Sequence, residues 1–202
     1  FIDLDNFKKI IEYKKNNPQI EVVLLIGNHD HHYFPEIGYT GTSGYQSGIA
    51  PSINQVIEEN REHLQIAYGF KNYLFTHAGV SPEFMDQVFG KDGWSKENVV
   101  TDLNELFRYK PHSFEFNGFD GYGDDTCQTP IWIRPKSLMQ VNKKHDKGLR
   151  EKYIQVVGHT QVRELDIKGK ATGNRYWFID ALGTSGEYLI IKDGKVSAGS
   201  VK

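Results

Sequence analysis

The chain has 202 residues, a formal net charge of −2, 38% hydrophobic and 13% aromatic residues, and a single cysteine. That is enough apolar material for one ordered domain over residues 1–202, and it argues against a disordered chain, a general nucleic-acid binder or a disulfide-stapled scaffold. No apolar run approaches the ~18 residues a membrane span needs, and the lone Cys127 fits a reducing, cytoplasmic setting.

Residues 5–17 read as a helix. Asp5 is a suitable N-cap, Phe7, Ile10 and Ile11 form one apolar face, the terminal lysines suit the helix dipole, and Pro18 stops it. Val22-Val23-Leu24-Leu25-Ile26 follows, a short continuous apolar run that reads as a strand buried on both faces. Gly27 ends it and allows an unusual turn. Asn28, His29 and Asp30 then project from the carboxyl end of a central strand, where α/β sheets place ligand sites. A helix leading into a strand is the second half of a βαβ unit whose first strand lies upstream. His31 and His32 are adjacent and diverge in an extended segment, so both read as surface-loop residues. Residues 38–48 are rich in Gly, Ser, Thr and Tyr without the Gly-Lys-Ser/Thr ending of a phosphate-cradling loop, which suggests a mobile loop near the site.

Residues 51–63 look helical behind Pro51, with His63 exposed among charges. Residues 64–68 and 72–76 form two strands around Gly69, and the second delivers His77. Helices follow at 82–89, capped by Ser81 with Pro82 at its first position, and at 96–107, with Trp94 as a packing residue. Residues 109–130 form a long aromatic loop, which either covers a pocket and sets substrate preference or packs on its own domain. Tyr153–Val157 is a strand before Gly158-His159-Thr160. Residues 176–180 and 187–192 are two more strands, and Asp193-Gly194 turns the last of them into 195–200.

Three apolar strands therefore end in a polar residue beside a glycine or another small residue: Asn28-His29, His77 and His159. An amide and imidazoles collected on one rim suit a borderline divalent cation, and rigid strand ends fix the geometry such a site needs.

The blocks Gly27-Asn28-His29-Asp30, Thr76-His77-Ala78-Gly79 and Gly158-His159-Thr160 resemble the calcineurin-like metallophosphoesterases. The branch they resemble holds the serine/threonine phosphoprotein phosphatases and the symmetrical diadenosine tetraphosphate hydrolases. The resemblance implies an α/β fold, a sandwich of two mixed β-sheets flanked by helices with the first βα portion missing. It implies a hydrolase of phosphate monoesters, first of all a serine/threonine protein phosphatase-like enzyme, acting on a phosphorylated protein or nucleotide, with no nucleic-acid or membrane partner. Two divalent metal ions (manganese, iron or zinc) are the implied cofactors. They sit about 3.5–4 Å apart in such sites, clamp the phosphoryl group and acidify a water. By resemblance Asn28, His77 and His159 bind the second metal, His29 is the general acid, and Asp30 gives local support. The segment Trp132-Ile133-Arg134 resembles one that supplies a phosphate-binding arginine in some bacterial members, and Arg134 takes either that role or a structural salt bridge. The family's opening Asp-x-His and Gly-Asp-x-x-Asp blocks have no counterpart, so the resemblance implies an N-terminally truncated chain, nearly inactive by itself. A dinucleoside polyphosphate hydrolase, or a non-catalytic binding relative of the fold, is the alternative reading.

Overall fold

A computed structural model describes residues 4–41, 43–117, 125–140, 146–166, 172–173 and 175–201. Residues 118–124, in the middle of the predicted 109–130 loop, lie outside that description.

The chain opens with α1 (Leu4–Asn16), which buries Ile11, and reaches β1 (Leu24–Leu25). One helical turn, α2 (Asn28–His31), follows directly, then α3 (Ala50–Glu59) with its buried stripe of Ile53, Val56 and Ile57. A 3-10 turn at Arg61–His63 leads into β2 (Leu64–Gln65), which pairs parallel with β1. The hairpin of β3 (Ala67–Phe70) and β4 (Tyr73–Thr76) turns at Lys71-Asn72 instead of at Gly69, with Lys71 in the left-handed region at φ 54°. Next come α4 (Pro82–Phe89), α5 (Val99–Tyr109), a 3-10 turn at Pro111–Phe114, and the short helices α6 (Pro135–Met139) and α7 (Leu149–Lys152). The chain closes with β5 (Ile154–Val157), β6 (Tyr176–Phe178) and the antiparallel pair β7 (Glu187–Lys192) and β8 (Lys195–Ser200).

The described strands form a mixed four-stranded sheet in the order β3-β4-β5-β6, the parallel pair β1-β2 and the hairpin β7-β8. The fold is α/β, but only one of these sheets is mixed, so the expected sandwich of two mixed sheets is corrected. The antiparallel end of the chain packs on the four-stranded sheet: Leu189, Ile191 and Val196 lie on Tyr73, Val156 and Trp177. On the other side the main core gathers Phe34, Ile53, Ile66, Leu74, Phe84, Leu103 and Phe114. Asn104 of α5 ties this core to the sheet, its Oδ1 accepting from the amides of Ile66 and Ala67 at 2.9 and 3.1 Å.

Three local expectations change. β1 is two residues long and half-buried, because it has one partner strand among the described residues instead of two. His31 and His32 are not surface residues but are 2% and 1% exposed. The α2 turn curls them inward, where His31 Nε2 donates to the Pro111 carbonyl at 2.9 Å and anchors the turn at Pro111–Phe114. His63 is half-buried, with Glu62 at 3.5 Å. No helix among the described residues is long and apolar enough to cross a membrane.

Candidate functional site

Three chain segments bring the polar residues of the three strand ends together. β4 and β5 run parallel with Thr76 opposite Val157. His77 is the next residue on one strand, and His159 is two beyond on the other. The Gly158 amide donates to the His77 carbonyl at 2.8 Å, which extends the pairing past the strand ends. His159 takes a left-handed backbone at φ 63°, uncommon for a residue with a side chain. From the third segment, α2 starts at the end of β1 and carries Asn28, buried at its first position.

The result is a close cluster. His77 Nε2 is 2.9 Å from Asn28 Oδ1 and 3.1 Å from His159 Nδ1. Both neighbours can accept, so His77 carries its proton on Nε2 and His159 carries its own on the opposite nitrogen. Burial lowers the pKa of His77 to about 4, with the charges of His29 and Arg134 adding to the effect. Burial lowers His159 to about 3, helped by His77 and Arg134 and partly offset by the Trp132 backbone. Both rings are therefore neutral at pH 7.

Gly27 has a different function from the one its position suggests. Its backbone is extended at φ −103° and ψ 176°, which any residue adopts. What requires glycine is proximity, since a Cβ there would lie 2.8 Å from His77 Cε1 and Nδ1. Asp30 closes the same corner: its Oδ2 accepts from the Gly27 amide at 2.8 Å, fixing the start of α2. Burial pushes that carboxyl up to about 6, against the Gly27 hydrogen bond that favours its charge.

His29 lies beside the pair, close enough for its charge to lower both of the other imidazoles. Its own pKa is lowered by burial and partly restored by the Ser43 backbone. Arg134 is the N-cap of α6 and donates from Nη1 to Thr160 Oγ1 at 3.1 Å, and its charge also reaches both His77 and His159. Asn28, His29, His77, His159 and Arg134 are thus brought to one place, with Asp30 supporting from behind.

Sequence reading missed Gln155. This β5 side chain is 2% exposed and bridges the Val80 backbone, accepting from its amide at 2.8 Å and donating to its carbonyl at 2.9 Å. It pins the segment that follows His77. The only available signal was one polar residue inside an apolar strand. Cys127 is a poor nucleophile: burial and the carboxylates of Asp125 and Glu83 raise its thiol above the ordinary value.

No protein-family profile and no curated protein matches the chain. Solved structures do. A mutant of a cold-active protein tyrosine phosphatase superposes with a TM-score of 0.61 at 17% identity, over 95% of this chain and 62% of that one. The cold-active protein tyrosine phosphatase of a psychrophilic Shewanella species gives 0.60 at 19% identity, over 93% and 59%. A further structure of a cold-active protein tyrosine phosphatase gives 0.61 at 19%, over 93% and 57%. At these identities the likeness is one of fold, and the chain spans about three fifths of the length of each neighbour.

These findings correct two expectations. The matching structures are named tyrosine phosphatases, so the assignment to the calcineurin-like metallophosphoesterases, drawn from three short blocks, is withdrawn. The two divalent cations, manganese, iron or zinc, are withdrawn with it. Among the described residues no group of three or more His, Cys, Asp or Glu side chains is placed to hold a metal ion. The groups in direct contact are two imidazoles and a neutral amide, with His29 beside them, and Asp30, the acid next to them in sequence, turns its carboxylate to the Gly27 amide.

Proposed function

We propose that the protein is a phosphatase, a hydrolase of phosphate monoesters, and that its chemistry takes place at the cluster of Asn28, His29, His77 and His159 with Arg134 at its side. The chain folds as one domain around that cluster. The observation that carries this reading is the convergence of the three strand ends, with His77 Nε2 within 3.1 Å of both an amide oxygen and a second imidazole. The likeness in fold to structures named protein tyrosine phosphatases supports the same class of reaction.

Hydrolysis of a phosphate monoester needs positive charge at the phosphoryl oxygens and a proton for the leaving oxygen. Arg134 has the planar fork that two phosphoryl oxygens accept from. His29 is the proton carrier. Burial lowers its pKa in the free protein, and a bound phosphate dianion favours its charged form, so that substrate binding itself loads the proton that the leaving oxygen then takes. Water attacks phosphorus as the ester P–O bond breaks. Asn28 holds His77 in its tautomer, His77 in turn faces His159 Nδ1, and Asp30 is a positioning residue that acts through the Gly27 amide.

The test is release of inorganic phosphate from p-nitrophenyl phosphate by the purified protein and by His29→Ala and Arg134→Ala variants. The expected result is turnover that falls by roughly a hundredfold or more in the His29 variant, the usual scale for a general acid, with a raised KM in the Arg134 variant. Absence of turnover in the unmodified protein, or full activity in both variants, overturns the proposal.

A further inference from the structure

We infer that Tyr39 and Tyr45 form an aromatic platform beside the proton-carrying His29, and that it selects aryl phosphates, the phosphotyrosine type, over alkyl phosphates. The inference deepens the phosphatase reading and rests on it for the place where the phosphate sits.

The platform is built in layers. Tyr33 is buried, and its hydroxyl accepts from the Gln46 amide at 2.8 Å. Tyr45 stacks on it with ring centroids 5.1 Å apart and planes 17° from parallel. His32 closes the side, 4.9 Å from Tyr45 and nearly perpendicular to it. Although buried, His32 has no hydrogen-bond partner on either ring nitrogen, so it serves as an aromatic plate instead of a polar group. Tyr39 lies on the outer side of Tyr45 at 4.8 Å and is 64% exposed. A large ring that open to water, yet backed by a stack whose lowest layer is buried, is placed to receive another ring.

Its position links it to the site. The residue before Tyr45 is Gly44, at φ +83°, where a Cβ would lie 3.4 Å from His29 Nδ1. The Ser43 backbone sustains the proton of the same ring. His29 and His32 rings stand 6.4 Å apart, edge to face. The loop therefore lies against His29 at Ser43 and Gly44, and the stack that begins at the next residue, Tyr45, carries the exposed Tyr39 on its outer side. A phosphate handled by His29 brings whatever its ester oxygen carries toward this surface. A phenol ring gains an aromatic contact there and an alkyl group does not.

The test measures affinity, so that it stands apart from turnover. Phenyl phosphate and methyl phosphate are titrated into the protein by calorimetry, and phosphate release from each is followed in parallel. The expected result is binding of phenyl phosphate about tenfold tighter than methyl phosphate, the upper range for one aromatic pair. Tyr39→Ala collapses that ratio to within roughly twofold and Tyr39→Phe retains it. An unchanged ratio in Tyr39→Ala, or no preference in the unmodified protein, overturns the platform while turnover of both esters leaves the phosphatase reading standing. Selective binding without phosphate release overturns the phosphatase reading and leaves the platform. Failure to bind either ester overturns both.

Discussion

His77 Nε2 stands 3.1 Å from Nδ1 of His159, a residue 82 positions further along the chain. Two imidazoles this close cannot both be charged at modest cost, and burial keeps both neutral.

Acid sensitivity follows. His77, His159 and His32 have folded pKa values of about 4, about 3 and about 4, below the ordinary 6.5. Between the two values the unfolded chain binds more protons, so their contribution to stability is lost as pH falls from about 6.5 toward 4. Asp30 runs the other way. Its folded pKa of about 6 lies above 3.8, so the fold binds the extra proton and gains stability as pH falls from about 6 toward 4. Three imidazoles outweigh one carboxyl, and denaturant melts at pH 7 and pH 5 should differ by on the order of a few kcal/mol in favour of pH 7. Asp30→Asn should steepen that loss between pH 6 and 4. A stability that does not change across this window contradicts the assignment.

Gly27→Ala tests the close approach directly. The backbone angles suit alanine, so the whole effect comes from a methyl placed 2.8 Å from the His77 ring. The ring must move away from Asn28 and His159. We expect a stability cost of about 1–3 kcal/mol, a shifted His77 ring signal in NMR, and loss of most phosphate release. An unmoved ring signal would show that the corner is looser than described.

Gln155→Leu removes the bridge to Val80 while keeping the side chain apolar and near in size. Two buried backbone groups lose their partner, and each such loss costs about 1–3 kcal/mol. Chemical denaturation should show a drop of about 2–4 kcal/mol, together with reduced phosphate release because Val80 lies three residues beyond His77. A change in stability below about 0.5 kcal/mol, the usual surface range, argues against the bridge.

His32→Phe should stabilise the protein. Neither ring nitrogen has a partner, and the ring packs edge-on against Tyr33 at 4.4 Å and Tyr45 at 4.9 Å. Replacing it by an apolar ring relieves the cost of burying unpaired polar atoms, about 1–3 kcal/mol. The midpoint in urea should rise and the acid sensitivity should weaken. A lower midpoint means that the imidazole has a partner after all.

The sequence by itself determined the elements whose signals are local. Ser81 and Pro82 set the start of α4, whose cap bond runs from the Phe84 amide to Ser81 Oγ at 3.1 Å. Asp193 and Gly194, both at positive φ, set the turn between β7 and β8. Asn28, His77 and His159 were legible as a group because a polar residue beside a small one at the end of an apolar run is a pattern within a few residues. Tertiary structure decided everything that depends on pairing across the chain. The parallel register of β4 and β5 brought the two imidazoles to hydrogen-bonding distance, packing buried His31 and His32, and Gln155 found its partner 75 residues away. It also decided that Asp30 serves the Gly27 amide. Periodicity and capping are written in neighbouring residues, whereas which side chains meet is settled only by how strands pair and faces pack, and no local pattern carries that information.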